Sequence, residues 1–163
     1  MVTGKEDLLQ ALIEAYLVEK GTMEFYSYAS ENALNPEAKK MFGNLSGWEG
    51  RHMEYIRFLY HSVTQDLDLK GFEEFSRMAD APFTEAGIPV KDMETQFEEH
   101  KFIDDMGALI MALEVDGKAY ALYSRLSKSA ADANARVVFK EMMEQEARHI
   151  EYLKKLRIKL SET

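Results

Sequence analysis

Cysteine is missing from this sequence altogether. Its absence excludes disulfides, thiolate zinc sites, iron–sulfur clusters and a thiol nucleophile. Any metal must be held by carboxylate and imidazole, a donor set that suits iron, manganese or zinc. Turn-formers are scarce as well: only 3 prolines and 9 glycines interrupt 163 residues. That scarcity favours long helices over a many-stranded sheet. No run approaches the roughly 18 apolar residues of a membrane span. The first residues turn acidic at Glu6-Asp7 with no apolar segment, so no signal peptide is expected and the expected location is cytoplasmic. Basic tracts are absent too. The formal net charge is −9, which argues against a nucleic-acid or membrane-surface partner.

What is present is helical periodicity. Leu8, Leu9, Leu12, Ile13, Tyr16, Leu17, Met23 and Tyr26 predict a helix over about 5–31. Asn35-Pro36 reads as a helix N-cap followed by proline at the first helical position. It opens a second helix over about 36–61, through Met41, Phe42, Leu45, Trp48, His52, Tyr55, Ile56 and Leu59. Two of the three prolines fall within about 62–91, which reads as a long crossover. A third helix is expected over about 92–130, through Phe97, Ile103, Leu109, Ile110, Leu113, Tyr120 and Tyr123. The fourth, over about 132–160, carries Val137, Val138, Phe139, Met142, Met143, His149, Tyr152, Leu153 and Leu156. The expected fold is therefore all-α: a single ferritin-like four-helix bundle, two antiparallel hairpins joined by a long crossover.

Two phrases stand out against this background. Glu49-x-x-His52 and Glu146-x-x-His149 are each followed, three residues on, by a tyrosine, Tyr55 and Tyr152. Positions i and i+3 share a helix face, so each phrase aims a carboxylate and an imidazole at one point. Sliding the chain by 97 residues superposes the phrases without a gap. The same offset pairs Ala11-Leu12-Ile13 with Ala108-Leu109-Ile110, Ala15 with Ala112, Tyr26 with Tyr123 and Ser27 with Ser124. It also pairs Ala38 with Ala135, Phe42 with Phe139, Arg51 with Arg148 and Glu54 with Glu151. The chain reads as two copies of one helical hairpin.

The repeat nominates two further carboxylates. Glu19 precedes Tyr26 by seven residues, two turns, and Asp116 stands in the same relation to Tyr123. Glu114 is a rival on the third helix, but two positions from Asp116 it points well away. A lone Glu-x-x-His is usually solvated surface, and a lone buried histidine is usually a satisfied core residue. Four carboxylates facing a dry core are different, because without a cation each costs several kcal/mol. A two-metal site offsets that cost. Tyr26 and Tyr123 either pack the core or hydrogen-bond a ligating carboxylate of the opposite hairpin. Tyr55 and Tyr152 read as structural, His61 and His100 as surface residues, and Glu24 as solvated.

The pattern Glu19…Phe25-Tyr26…Pro36…Phe42…Glu49-x-x-His52, echoed by Asp116…Tyr123…Phe139…Glu146-x-x-His149, resembles the rubrerythrin-type diiron proteins of the ferritin-like superfamily. The resemblance implies two iron ions, with manganese or zinc as substitutes. Glu49 and Glu146 would bridge them, Glu19 with His52 and Asp116 with His149 would complete the two ends, and Arg51 and Arg148 would face outward. It implies reduction of hydrogen peroxide or oxygen coupled to Fe(II) oxidation; the alternative is an iron-handling module using the same site. Met111-Ala112-Leu113-Glu114-Val115-Asp116-Gly117 is also similar to the matching helix of bacterioferritins, where the Glu is the ligand. Rubrerythrins with a rubredoxin domain carry four cysteines; here a separate electron donor is implied, and a homodimer. The extra carboxylate that follows the third-helix ligand in that family is Ala119 here, or Gly117 if Glu114 ligates, so the iron movement tied to it is not expected. Cage-forming ferritins end in a fifth helix, and with the sequence stopping at Thr163 a storage cage is not expected.

Overall fold

The computed structural model describes residues 5–64 and 104–162. Four helices occupy them: α1 (Lys5–Asn32), α2 (Pro36–Thr64), α3 (Asp105–Ser129) and α4 (Ala133–Ser161). No strand occurs among the described residues, and no helix there is long and apolar enough to cross a membrane.

Alternating steps of three and four residues explain why these helices pack lengthwise. On α1 the buried positions include Leu8, Leu12, Ala15, Glu19, Thr22, Tyr26 and Ala29. On α2 they include Ala38, Phe42, Leu45, Glu49, His52, Ile56 and Leu59; on α4, Ala135, Phe139, Met142, Glu146, His149, Leu153 and Leu156. Such spacing keeps one stripe facing the bundle axis along the whole helix. Glu49-His52 and Glu146-His149 fill consecutive places in stripes that are otherwise apolar.

Helix starts are capped by the residues that the repeat pairs. Asn35 Oδ1 accepts from the Glu37 and Ala38 amides at 2.8 and 3.2 Å, and Asp132 Oδ1 accepts from the Ala135 amide at 2.9 Å. Within each hairpin the helices run antiparallel through three-residue turns, 33–35 and 130–132. Between hairpins, Tyr26 meets Asp116 and Tyr123 meets Glu19, so α1 and α3 are antiparallel; Asn44 meets Tyr152 and Tyr55 meets Gln145, so α2 and α4 are too. The apolar core splits into two clusters. One joins Phe25, Tyr26, Phe42 and Leu45 of the first hairpin to Leu109, Ala112, Leu153 and Leu156 of the second. The other joins Leu12, Ala15, Ile56 and Leu59 to Tyr123, Phe139 and Met142. The clusters exchange members under the 97-residue offset, as a pseudo-twofold arrangement requires.

The third helix corrects the expected span of 92–130. Asp104 is extended (φ −74°, ψ 176°) and its side chain accepts from the Gly107 amide at 2.8 Å, so α3 starts at Asp105. A helix cannot run through a residue in that conformation. Residues 92–103, and the expected crossover beyond Thr64, lie outside the described residues. Three side chains read as helix-face apolar are solvent-exposed: Ile110, Tyr120 and Val137.

Asp105 ties α3 to the other hairpin. Its two carboxylate oxygens accept from the backbone amides of Leu34 and Asn35, in the α1–α2 turn, at 3.0 and 2.7 Å. Charged acceptors of this kind contribute about 1.5–3 kcal/mol when shielded, and Asp105 is half-buried. Asp105→Ala is expected to lower stability by about 1–2 kcal/mol, read as a drop in the urea midpoint at unchanged slope. An unchanged midpoint would show that water replaces the bond without loss.

Candidate metal centre

Between the two apolar clusters lie six side chains that can ligate metal: Glu19, Glu49, His52, Asp116, Glu146 and His149. Five are fully buried and His149 is 3 % exposed. They form two overlapping groups, Glu19, Glu49, His52, Glu146 and Glu49, Asp116, Glu146, His149, with the ligand atoms of each group within 4.8 Å of one another. Glu49 and Glu146 belong to both groups and therefore sit at the centre.

The geometry leaves electron pairs with nothing to hold them. His52 Nδ1 lies 3.2 Å from Glu19 Oε2, 3.1 Å from Glu49 Oε2 and 3.0 Å from Glu146 Oε1. One ring nitrogen has at most one proton, and the contact with hydrogen-bond geometry is the one to Glu19. His149 Nδ1 lies 3.3 Å from Glu49 Oε1, 3.7 Å from Glu146 Oε2 and 3.9 Å from Asp116 Oδ2. Both oxygens of Glu49, both of Glu146, Asp116 Oδ2 and His149 Nδ1 are buried without a hydrogen bond. Buried polar atoms are almost always partnered. A cluster of convergent acceptors lacking donors is what divalent cations with oxygen and imidazole preferences require.

Two tyrosines brace the outer carboxylates. The Tyr26 hydroxyl donates to Asp116 Oδ1 at 2.8 Å, and the Tyr123 hydroxyl donates to Glu19 Oε1. Each tyrosine also stacks on the phenylalanine of its own hairpin, Tyr26 on Phe42 at 6.3 Å and Tyr123 on Phe139 at 6.2 Å. Burial, then the nearby carboxylates of Asp116 and Glu49, push the Tyr26 hydroxyl well above its ordinary range, so it stays a donor.

Protonation follows the crowding. Burial works against charge on His149, yet the Glu146 and Glu49 carboxylates raise its pKa to about 10 from an ordinary 6.5. His52 is likewise raised against its burial, by Glu49 and Glu146. Glu49 is held below the usual carboxylate range by the two imidazoles in spite of burial. Asp116 is raised, by burial first and then by Glu146 and Glu49. Without metal, then, imidazolium protons partly balance the carboxylates.

Metal binding at this cluster is coupled to pH. Ligating imidazole must be neutral, so metal displaces these protons. Loading should release about two protons per chain near neutral pH, one from each histidine, and weaken by about tenfold per proton for each pH unit lowered. Calorimetry in two buffers of different ionisation enthalpy measures the release. In the metal-free fold, the stability contributed by His149 is fully present below about 6.5 and is lost as pH rises through about 10.

Of the sequence candidates, Glu114 is the one the structure leaves out. Its side chain is 55 % exposed and lies 3.5 Å from Lys118 Nζ. Two positions along a helix turn a side chain by about 200°, so Asp116 facing inward forces Glu114 outward. Arg51 and Arg148 are exposed; His61 and Glu24 are half-buried, not the surface and solvated residues expected, and neither joins the cluster. His100 lies outside the described residues. Two neighbours of the cluster carry no motif: Trp48, stacked on His149 with centroids 5.5 Å apart, and Gln145, with Oε1 3.1 Å from His52 Nε2. Their one signal in the sequence is position, immediately before Glu49 and Glu146. Tyr55 and Tyr152 bond across hairpins, to Gln145 and Asn44 respectively.

Compared with known families, residues 10–157 match the family model described as rubrerythrin. No curated protein and no solved structure gives a significant match.

Proposed function

The chain belongs to the rubrerythrin family, and from that membership we propose that it is a diiron oxidoreductase that reduces hydrogen peroxide or oxygen. The observation that carries this reading is the pair of overlapping four-ligand groups sharing Glu49 and Glu146. Glu49 and Glu146 would bridge two iron ions, with Glu19 and His52 at one end and Asp116 and His149 at the other. Iron(II) held there would supply the two electrons that, with two protons, convert hydrogen peroxide to two waters.

The chain's own residues do the rest. The apolar clusters on either side of the six ligands keep bulk water out and strengthen every charge interaction inside. Tyr26 and Tyr123 hold Asp116 and Glu19 at fixed settings, so the outer carboxylates need not reorganise. A separate electron carrier would re-reduce the site.

The test is to load the metal-free protein anaerobically with Fe(II), count bound iron, and mix with hydrogen peroxide and, separately, with oxygen. Two irons per chain oxidised fastest by peroxide supports the proposal. Slow oxidation by oxygen alone would turn the reading to iron handling, and failure to bind iron would sink it.

A further inference from the structure

The two hairpins differ at the residue that precedes each ligating glutamate, Trp48 in the first and Gln145 in the second. Gln145 reaches across from α4 to α2. Its Nε2 donates to the Tyr55 hydroxyl at 3.0 Å and to Glu141 Oε1 at 3.2 Å, while its Oε1 lies 3.1 Å from His52 Nε2. Glu141, as a carboxylate, can only accept, so the amide nitrogen must face it and the amide oxygen must face His52. His52 Nε2 therefore carries its proton, and the lone pair of the neutral ring sits on Nδ1, which points into the cluster. Three partners thus set both the tautomer and the tilt of His52.

Among the described residues, His149 has no such brace. The Trp48 ring lies on its face, 24° from parallel, and Trp48 in turn abuts Tyr152 with centroids 4.8 Å apart. A ring face limits tilt but accepts no proton, and no described residue hydrogen-bonds His149 Nε2. His149 lines an open groove of about 520 Å³ with Trp48, Gln145, Arg148 and Tyr152. Its carboxylate partner is also more distant: His149 Nδ1 to Asp116 is 3.9 Å, against 3.2 Å for His52 Nδ1 to Glu19. Glu19 has both oxygens hydrogen-bonded, whereas Asp116 Oδ2 has no partner.

We propose that Gln145 is a positioning residue that makes the Glu19/His52 half the tight metal site, filled first, and leaves the Asp116/His149 half as the exchangeable one, reached from the groove. The inference rests on the cluster being a two-metal site. Outer partners of a metal-bound histidine typically change affinity by 10–100-fold.

The experiment titrates metal-free, full-length protein with Zn(II) and follows the four histidine imidazoles by long-range proton–nitrogen NMR. The expected result is that the first equivalent shifts His52 and the second shifts His149, with affinities about 10–100-fold apart. Gln145→Leu should weaken the first step by that factor and merge the two. Gln145→Glu, which keeps an acceptor against His52 Nε2, should restore the separation, and it also serves if the leucine variant fails to fold. His149 shifting first, both shifting together, or both variants behaving as the parent would overturn the inequivalence. No zinc uptake at all would instead overturn the two-metal reading beneath it.

Discussion

Changing Glu49 and Glu146 together to glutamine is expected to abolish metal binding and with it every effect of metal on stability. The substitution preserves shape while removing charge from the two residues common to both ligand groups. A ligand at 100 times its dissociation constant adds about 2.7 kcal/mol per site, so two sites add about 5 kcal/mol. For a chain of this size that corresponds to a rise of roughly 10–20 °C in Tm on loading the parent protein. The variant should show none. Its metal-free form should melt close to the metal-free parent. Loss of two buried, imperfectly paired carboxylates relieves desolvation, while the imidazoles keep Glu19 and Asp116 as counter-charges. Calorimetric melts of parent and variant, with and without Zn(II), measure all four quantities. A metal-induced shift that survives in the variant would remove Glu49 and Glu146 from the centre of the site.

The second large effect separates two residues that stand two apart. Asp116→Asn keeps an oxygen to accept from Tyr26 but removes the charge facing His149. Affinity at that half of the site should fall by more than about 100-fold, since even outer partners are worth 10–100-fold. One metal per chain would then remain after gel filtration. Glu114→Ala should leave two, because that side chain points to solvent beside Lys118. Its only expected cost is a surface ion pair, worth about 0–1 kcal/mol. Reversal of the two outcomes would mean that α3 is rotated in solution relative to the packing described.

The contrast shows which parts of the site were legible in the sequence. Glu49 with His52, and Glu146 with His149, are local: an unbroken helix fixes the direction of i and i+3, whatever surrounds it. Glu19 and Asp116 needed one further step, the register of the repeat, and Tyr26 and Tyr123 came with it. Family likeness pulled toward Glu114, whereas helix geometry allows only one of the pair to face the axis. Gln145 was not legible, because its role depends on how far α4 is rotated against α2, and no local spacing encodes that. Nor was the start of α3: apolar periodicity carries no information about Asp104 leaving the helical region. Ile110, Tyr120 and Val137 show the same limit, since an apolar residue beside a stripe looks much like one within it.

The crossed tyrosine–carboxylate bonds have a further consequence. Tyr26 of one hairpin binds Asp116 of the other, while Tyr123 of the second binds Glu19 of the first. Residue i contacting j while the equivalent of i contacts the equivalent of j is the signature of an isologous interface, normally found between identical subunits. Here both faces of that interface lie on one polypeptide. In a true dimer every substitution appears on both sides of the axis at once, so the two halves of the site must remain alike. Joining the halves covalently lifts that constraint. A tryptophan can stand against one histidine and a glutamine against the other, and the two ends of the centre are free to specialise.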